Sequence, residues 1–353
     1  MTSRYTVIIL LFVLIPLWSQ KKIEVLNTDL SGANRNYIAR DAVFLNEGFK
    51  YYSGVGQILF AETAYNLIPA IEHTNPTNPD TRQINTNLPV GTIQHSFSVS
   101  SSGAAVCDIP IYTSPGTGGV KPDISVSYNS QSGSGLLGWG WNLAGVSAIS
   151  RVGQTIYHDG KTGGINLDLN DRYSWDGKRL IVVNGFYGTA SSEYKTEIES
   201  YAKITASTSM MGNGPEWFTI ETKEGTIIEF GKENNARLDL NGSGVNWMIS
   251  KIKDPNGNYI RYYYNIVDHE QRLDRIEYTG NDIAGLEPFN VIYFKYVSKP
   301  GSCISYIAGQ YIKQTLILDQ IQCFSQGLLA HQYDFKYSVS WLYPCLLYTS
   351  NRY

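Results

Sequence analysis

The chain has 353 residues, of which 42% are hydrophobic and 17% charged, and its net charge is -3. This composition excludes a disordered chain and a polytopic membrane protein, and the near-neutral charge excludes a mainly electrostatic nucleic-acid binder. The 26 Tyr, 33 Gly and 7 Trp favour strands and tight turns, so the composition indicates an all-β protein. Five His and four Cys leave little material for metal sites.

Residues 1–20 predict a secretory signal peptide. Arg4 precedes an apolar run over residues 6–18, which is too short for a bilayer of about 30 Å that needs about 20 residues. A small residue then precedes a cleavage point before Gln20 or Lys21. An uncleaved anchor is the alternative. We expect a secreted, extracellular chain with no membrane span after cleavage.

The next two segments predict a small β module over residues 21–66 and a linker over residues 67–92. Within the module, residues 43–45 and 49–52 are predicted as strands joined by a turn, in the manner of a hairpin. The linker is rich in Pro, Asn and Thr and has too few apolar residues to order itself. We therefore place a domain boundary there.

A β domain is predicted over residues 93–340, with very little helix apart from the signal peptide. Short alternating stretches are separated by Gly, Asn and Asp turns, and no window shows a helical period. The clearest hairpin signal is Lys223-Glu224-Gly225, which separates residues 218–221 from residues 227–230.

Internal repetition predicts how these strands are arranged. Residues 249–264, 273–296 and 318–337 each contain a strand, a turn or loop, and an aromatic strand related to Y-x-F-K-Y. Consecutive hairpins cover their open edges by stacking side by side. The predicted fold class is all-β, with successive antiparallel hairpins forming a large curved sheet rather than a small closed barrel. A sandwich is the alternative.

Residues 103–153 carry the densest set of motifs. Gly138 and Gly140 bracket Trp139, and glycine allows a kinked strand to present this indole and that of Trp141. Such aromatics usually anchor a core, and sugar stacking is the functional alternative. No catalytic, cofactor or metal residue is predicted, and the residues singled out are structural: Pro110, Pro115, Gly116, Tyr128, Asn129, Ser130, Gly138, Trp139, Gly140, Trp141, Arg151, Trp247, Asp254, Gly257 and Asn258.

These motifs, in this order, closely resemble the N-terminal region of the SpvB family. That family comprises the amino-terminal part of the Salmonella virulence plasmid protein B and the B components of insecticidal toxin complexes, which are TcaC-like. The resemblance covers about residues 91–340, including residues 171–180, 225–231 and 247–258.

The resemblance implies an architecture rather than a reaction. In toxin-complex B components and related Rhs proteins, this region resembles the start of a β-sheet that spirals into a hollow shell around a toxic C-terminal domain. The repeats of this chain resemble degenerate members of the YD class that builds the shell. The implied partners are the remainder of a longer chain and an A-type pore component, and no catalytic residues are implied.

The sequence does not contain the catalytic motifs of ADP-ribosyltransferases, of α/β-hydrolases or of zinc proteases. The Salmonella relative carries ADP-ribosyltransferase activity, whose fold uses an Arg, a Ser-Thr-Ser strand and a Glu-x-Glu turn in that order. Here the Glu197-Ile198-Glu199 segment precedes Ser207-Thr208-Ser209 by a few residues, so the order is reversed. There is neither a G-x-S-x-G elbow nor an H-E-x-x-H motif. We predict no enzyme and no cofactor.

Two acidic loops offer side chains for a catalytic or calcium site. Asp168 and Asp171 could serve acid–base chemistry, but a pair in a turn is usually solvated. Residues 168–171 and 254–258 also offer oxygen ligands for calcium, although neither completes the twelve-residue pattern. The Pro and Asn-Gly of residues 254–258 are better explained as a turn.

The four cysteines show no C-x-x-C spacing, so zinc has almost no support. Cys303 and Cys323 could form a disulfide if their strands are neighbours, but we expect a buried free thiol for each cysteine. The final residues 341–353 depart from the family pattern, so we expect an atypical tail on an N-terminal piece of a longer protein.

The sequence thus predicts a non-catalytic toxin scaffold, with a secreted adhesion or carbohydrate-binding module as the alternative.

Overall fold

The computed structural model describes six short strands between residues 23 and 63, then residues 93–339 and 344–352, with side chains for residues 93–299, 301–337 and Leu346. The predicted signal peptide and linker lie outside the described residues. The chain divides into two compact units, Met1–Leu88 and Pro89–Tyr353.

The first unit contains parallel strand pairs rather than a hairpin. Its strands are β1 Ile23–Leu26, β2 Leu30–Ser31, β3 Arg35–Ala39, β4 Ala42–Leu45, β5 Tyr51–Tyr52 and β6 Leu59–Thr63. β1 pairs with β4, β2 with β5 and β3 with β6, each in parallel. The predicted pairing of residues 43–45 with 49–52 is therefore wrong, because each of these strands pairs with one that lies about twenty residues earlier in the chain.

The second unit begins with short strands and two short helical turns. In chain order these are β7 Ser96–Val99, β8 Ala105–Pro110, a 3-10 turn Thr117–Gly119, β9 Ser125–Asn129, β10 Ser134–Gly135, β11 Gly138–Trp139, β12 Trp141–Ala144, β13 Ala148–Val152 and α1 Ile156–Asp159. β12, β9, β8 and β7 form an antiparallel four-stranded sheet in that order, and β10 pairs with β11.

The remaining strands join β13 in one fifteen-stranded sheet. They are β14 Arg172–Trp175, β15 Lys178–Asn184, β16 Glu193–Thr196, β17 Lys203–Ala206, β18 Phe218–Glu221, β19 Ile227–Phe230, β20 Arg237–Leu240, β21 Ser243–Lys253, β22 Asn258–Val267, β23 Glu270–Asn281, β24 Asn290–Ile307, β25 Gln310–Ser325, β26 Leu328–Val339 and β27 Pro344–Arg352.

Eight strands of this sheet close into a barrel. β13 to β19 pair in chain order, β19 pairs with the second half of β21, and β13 pairs with its first half through Ile149 opposite Trp247. β20 pairs with β21 on the side of β19. The closed ring therefore consists of β13–β19 and β21, which we call the barrel.

The second half of β21 also starts a row of hairpins, β22–β27, which we call the ladder. Each strand pairs antiparallel with the next, so the predicted hairpins within residues 249–264 and between residues 273–278 and 292–296 are confirmed. The pairing of residues 318–323 with residues 333–337 is confirmed at its centre, and β27 then pairs with β26.

One apolar face of the ladder is covered by the chain between β8 and β12. The Tyr112 backbone N–H donates to the Tyr333 hydroxyl at 3.0 Å, and the Leu318 N–H donates to the Leu136 carbonyl at 3.1 Å. Buried side chains of the barrel, the four-stranded sheet and the ladder belong to one continuous core. Burial of this apolar area is the main stabilising term for the unit.

The predicted fold class is confirmed, since the second unit is a large antiparallel sheet of hairpins. The exclusion of a small barrel needs correcting, because the ladder remains open while the strands before it close on β21. Closure joins strands about one hundred residues apart in the chain, and local hairpin patterns carry no information about such a pair.

Candidate functional site

The barrel interior is filled by aromatic rings. Tyr173, Phe218 and Trp247 are each at most 1% exposed. The rings of Tyr173 and Phe218 lie edge-on to the Trp247 indole, with centroid distances of 5.4 and 5.2 Å. The indole Nε1 donates to the Glu216 carbonyl at 3.1 Å. Aromatic packing with a satisfied polar atom gives this space a structural role.

A buried ion pair joins two loops to the strands β13 and β21 at one end of the barrel. The Arg151 Nη1 atom lies 3.1 Å from Asp171 Oδ2, and both side chains are at most 1% exposed. The guanidinium also donates to the carbonyls of Asp168, Asn213 and Gly244. The expectation that the Asp168 and Asp171 pair is solvated is therefore wrong for Asp171, because Arg151 and two backbone N–H groups take up its oxygens.

A second charged cluster fixes α1 to the outside of the barrel. The Asp159 carboxylate accepts from Arg172 Nε at 2.8 Å and from Arg179 Nη2 at 2.6 Å. Burial raises the pKa of Asp159, but the backbone hydrogen bond from Thr155 and the two arginines outweigh it, so the pKa is lowered. The carboxylate stays ionised and acts as a clamp between strands.

The two motif tryptophans have different surroundings. Trp139 is 43% exposed, whereas Trp141 is partly buried against the core and its ring lies 5.1 Å from that of Tyr128. Gly138 and Gly140 both have positive φ, and a Cβ on Gly140 would lie 2.5 Å from the Tyr128 ring. The kinked-strand interpretation is therefore supported, but the two indoles do not form one exposed platform.

The turn Asp254–Asn258 binds neighbouring loops through its own polar groups. The Asp254 carboxylate accepts from the N–H groups of Asn256 and Asn258 and from the Asn258 side-chain amide, at 2.8–2.9 Å. The side-chain Oδ1 atom of Asn258 accepts from Asn281 Nδ2 at 2.8 Å. Gly257 has a φ of 84°. These contacts use the oxygens that a calcium ion would need, so the turn interpretation accounts for the motif.

The other motif residues close loops beside the four-stranded sheet. Pro110 ends β8 opposite Ser125. The Pro115 carbonyl accepts from Asn290 Nδ2 at 3.2 Å, and a Cβ on Gly116 would lie 1.8 Å from the Val120 carbonyl oxygen. Asn129 and Ser130 bind the backbone of neighbouring segments: the Asn129 N–H donates to the Gly140 carbonyl and the Ser130 hydroxyl accepts from the Ala105 N–H, both at 2.9 Å.

The segments weighed against the ADP-ribosyltransferase pattern serve as turns. The Ser207 hydroxyl donates to the Ser209 carbonyl and accepts from the N–H groups of Glu216 and Trp217. Glu197 lies 3.1 Å from His158 Nε2, and Glu199 contacts Lys195. Within the described residues, no group of three or more His, Cys, Asp or Glu side chains is arranged to hold a metal ion.

Three cysteines have free thiols in the described part of the chain: Cys107, Cys303 and Cys323. Cys303 and Cys323 lie on the neighbouring strands β24 and β25, but Cys303 is opposite Gln314 and Cys323 is opposite Ile292. Their register separates them, so the possible disulfide is absent. Burial raises the pKa of the Cys323 thiol to about 12.

Most motif residues are thus distributed over three structural places: the barrel, the four-stranded sheet and the first turn of the ladder. The structure does not bring them together in one cleft. The pairing of Arg151 with Asp171 could not be predicted from the sequence, although both residues lie in motif segments. The two residues are twenty positions apart, and only the fold buries them together.

Comparisons with known proteins agree with this architecture. The family profile described as Salmonella virulence plasmid 65kDa B protein matches residues 99–284. The structure of the N-terminal domain of effector protein SpvB from Salmonella typhimurium strain LT2 is similar, with a TM-score of 0.56 and 16% identity, over 69% of this chain and 99% of that one. No curated protein sequence gives a significant match.

Toxin-complex structures are also similar in fold. The crystal structure of TcdB2-TccC3 matches with a TM-score of 0.60 and 16% identity, over 74% of this chain. A Photorhabdus luminescens Tc holotoxin pore matches with a TM-score of 0.59 and 16% identity, over 77% of this chain. In both cases the match covers 16% of the other chain. Among the described residues, no helix has the length and apolar character needed to cross a membrane.

Proposed function

Because the chain belongs to the family of the Salmonella virulence plasmid 65kDa B protein, we propose that it is the N-terminal scaffold segment of a secreted toxin-complex or Rhs-like protein. In this proposal it begins the wall of a shell that encapsulates a C-terminal toxin and helps to deliver it. The segment itself carries no catalytic step. Its partners are the remainder of its own longer chain and an A-type pore component.

The ladder is the observation that carries this proposal. After β21, each strand pairs with the edge of the one before it, as far as β27. An exposed strand edge presents unpaired N–H and C=O groups, so every added hairpin covers one edge and offers the next. This geometry can extend by further hairpins of the YD class without rearranging the barrel.

The chemistry of the described side chains supports a scaffold role. The most deeply buried ion pair, Arg151 with Asp171, holds loops together, and Asp159 connects α1 to two strands. The Trp139 and Trp141 indoles do not share an exposed face, which favours a scaffold over the adhesion alternative. Export through a cleaved signal peptide is part of the proposal, and N-terminal sequencing of the secreted chain would identify the new terminus at Gln20 or Lys21.

The direct test is the gene beyond the codon for Tyr353. We expect an open frame that continues into further YD hairpins and a variable C-terminal domain. A stop codon directly after Tyr353 would contradict the shell role. It would leave a small secreted β module, and a glycan array comparing the wild-type chain with Trp139→Ala would then test carbohydrate binding.

A further inference from the structure

A cavity of about 510 Å³ lies where the barrel and the ladder separate. On one side of β21, β13 pairs with residues 246–248 and β22 pairs with residues 251–253. The two strands therefore leave β21 in different directions. The wedge between them is lined by β13, β20 and β21, by β12 of the four-stranded sheet and by the ladder strands β22 to β25.

The long hairpin β24–β25 extends over this wedge. Its two strands pair from Tyr296 opposite Leu318 to Ile307 opposite Gln310, with an irregularity between Ser298 and Cys303 where the register shifts. The neighbouring strand β23 pairs with β24 only as far as Tyr293, so this part of the hairpin has no flanking strand on that side. We call residues 296–318 the arm.

Polar contacts fasten the arm to the turn between β22 and β23. The Glu270 carboxylate accepts from the Thr315 N–H at 2.9 Å, the Thr315 hydroxyl at 2.5 Å and the Leu316 N–H at 3.1 Å. The Tyr311 hydroxyl donates to Asp268 at 2.6 Å. Glu270 also lines the cavity, where three donors of the arm hydrogen-bond its carboxylate.

The wall of the cavity is mainly apolar. Six of its residues come from the barrel side, the ladder and the arm: Leu238, Val245, Met248, Leu273, Ile307 and Ile312. Ile307 and Ile312 also pack on the small core of Leu238 and Val245. A carboxylate with a chain of about ten carbons fits this volume. Each carbon group occupies about 30 Å³, which is the volume of a water molecule in the liquid. Cavities of this size and lining commonly bind small molecules.

One cation in the wall has unused hydrogen-bonding capacity. Arg272 lines the cavity, and its side chain is 18% exposed. In the described part of the chain, its ion-pair partner is Glu270 at 3.8 Å, its guanidinium lies 6.0 Å from the centre of the Tyr296 ring, and it makes no side-chain hydrogen bond. Arg275, three residues along the same strand, instead donates to Glu277 at 2.8 Å and to Asp274 at 3.1 Å. A guanidinium has five donors that match a carboxylate in a bidentate geometry.

We propose that this cavity binds a medium-chain alkyl carboxylate. The carboxylate head pairs with the Arg272 guanidinium, and the alkyl chain packs on the apolar wall beneath the arm. This site is separate from the proposed scaffold role, because it uses the junction of barrel and ladder and not the open edge of the ladder.

Titration calorimetry on the full chain tests the proposal with hexanoate, octanoate and decanoate. Affinity should rise about fourfold with each added methylene, as expected for burial of an alkyl chain. Arg272→Gln should weaken octanoate binding at least tenfold while leaving 1-octanol binding unchanged. Arg275→Gln is the matched control, since it removes an arginine from the same strand outside the cavity, and it should bind octanoate like the wild type.

Each other result overturns the proposal. Absence of saturable octanoate binding by the folded wild-type chain would remove the site. Equal octanoate affinity in Arg272→Gln and Arg275→Gln would show that Arg272 is not the anchor. Equal binding of octanoate and 1-octanol by the wild type would show an apolar cavity with no preference for a carboxylate. A second variant, Leu143→Phe, narrows the cavity from the four-stranded sheet and should lower the affinity for both compounds.

Discussion

The barrel and the ladder are built from the same kind of antiparallel strand, yet they solve the problem of exposed edges differently. The barrel joins β13 to β21 and leaves no edge within its ring. The ladder covers each edge with the next hairpin. A closed ring can be stable by itself, whereas a row of hairpins depends on its neighbours. The barrel is therefore a closed base from which the ladder can be extended.

The ion pairs of the barrel and the ladder also differ, because the barrel pair is buried and the ladder pair is exposed. The Arg151 and Asp171 pair at the end of the barrel is at most 1% exposed. On the ladder, Arg275 is 31% exposed and pairs with Asp274 and Glu277 at the surface, over the ring of Tyr263. Removing one partner of a buried pair leaves an uncompensated charge, but removing one partner of a surface pair exposes the other to water.

The largest expected effect follows from this difference. Arg151→Met should lower the free energy of unfolding by about 3–5 kcal/mol, because Asp171 remains buried without its partner. Arg275→Met should lower it by about 0–1 kcal/mol. Urea unfolding of the full chain measures both. The double variant Arg151→Met with Asp171→Leu should recover only the part of the loss that comes from the unpaired charge, because the backbone groups bound by Arg151 and Asp171 stay without partners. Equal effects of the two single variants would contradict the difference between the buried and the surface pair.

Matched core truncations in the barrel and in the ladder should lower the free energy of unfolding by similar amounts. They should differ in how far faster hydrogen exchange spreads through the molecule. Ile220 in the barrel and Ile292 in the ladder are both 0% exposed. Replacement of either by Ala should cost about 2–5 kcal/mol through lost burial and a cavity. Hydrogen exchange should show faster exchange throughout the barrel for Ile220→Ala, but only in the ladder for Ile292→Ala. Acceleration of barrel amides by Ile292→Ala would show that the two regions unfold as one.

A smaller effect is expected at the first turn of the ladder. Asp254→Ala removes an acceptor of three hydrogen bonds and should cost about 1–3 kcal/mol. Glu224→Ala, in the exposed turn between β18 and β19, is the control and should stay within about 0.5 kcal/mol of the wild type. Thermal unfolding of the three proteins measures the difference. A loss for Asp254→Ala no greater than that of the control would remove the structural role given to this motif.

The smallest effect at neutral pH concerns Tyr278 in the ladder. Burial raises the pKa of this phenol to about 12, above its ordinary value near 10. The neutral phenol therefore adds stability that is complete below pH 10 and is lost as the pH rises from 10 to 12. Between pH 10 and 12, the unfolding free energy of Tyr278→Phe should fall less steeply than that of the wild type. The difference in slope should be at most about 1 kcal/mol per pH unit. Identical alkaline profiles for the two proteins would contradict burial of this ring.

Strand pairing could be predicted from the sequence where the two strands are adjacent in the chain. The Lys223-Glu224-Gly225 turn and the Asp254–Asn258 turn each join strands that are adjacent in the chain, and both hairpins form as predicted. The aromatic strands of the ladder could be predicted for the same reason. Alternation of apolar and polar residues with a turn between them contains the information that a hairpin needs.

The pairings that could not be predicted from the sequence join segments that lie far apart in the chain. Ile149 lies opposite Trp247 and closes the barrel, although neither segment has a local signal for the other. In the first unit, Val25-Leu26 and Phe44-Leu45 pair in parallel, and only their similar sequences nineteen residues apart could have indicated it. Arg151 and Asp171 are recognisable as a pair only once the barrel buries both.

In the proposed function, the ladder is the beginning of a longer wall. Cryo-electron microscopy of the protein expressed from its entire reading frame tests this proposal. We predict that β22–β27 continue without a break into further hairpins that enclose a lumen, with the barrel unchanged. A ladder that ends at β27 with its edge facing solvent, and with no enclosed lumen, would contradict the account.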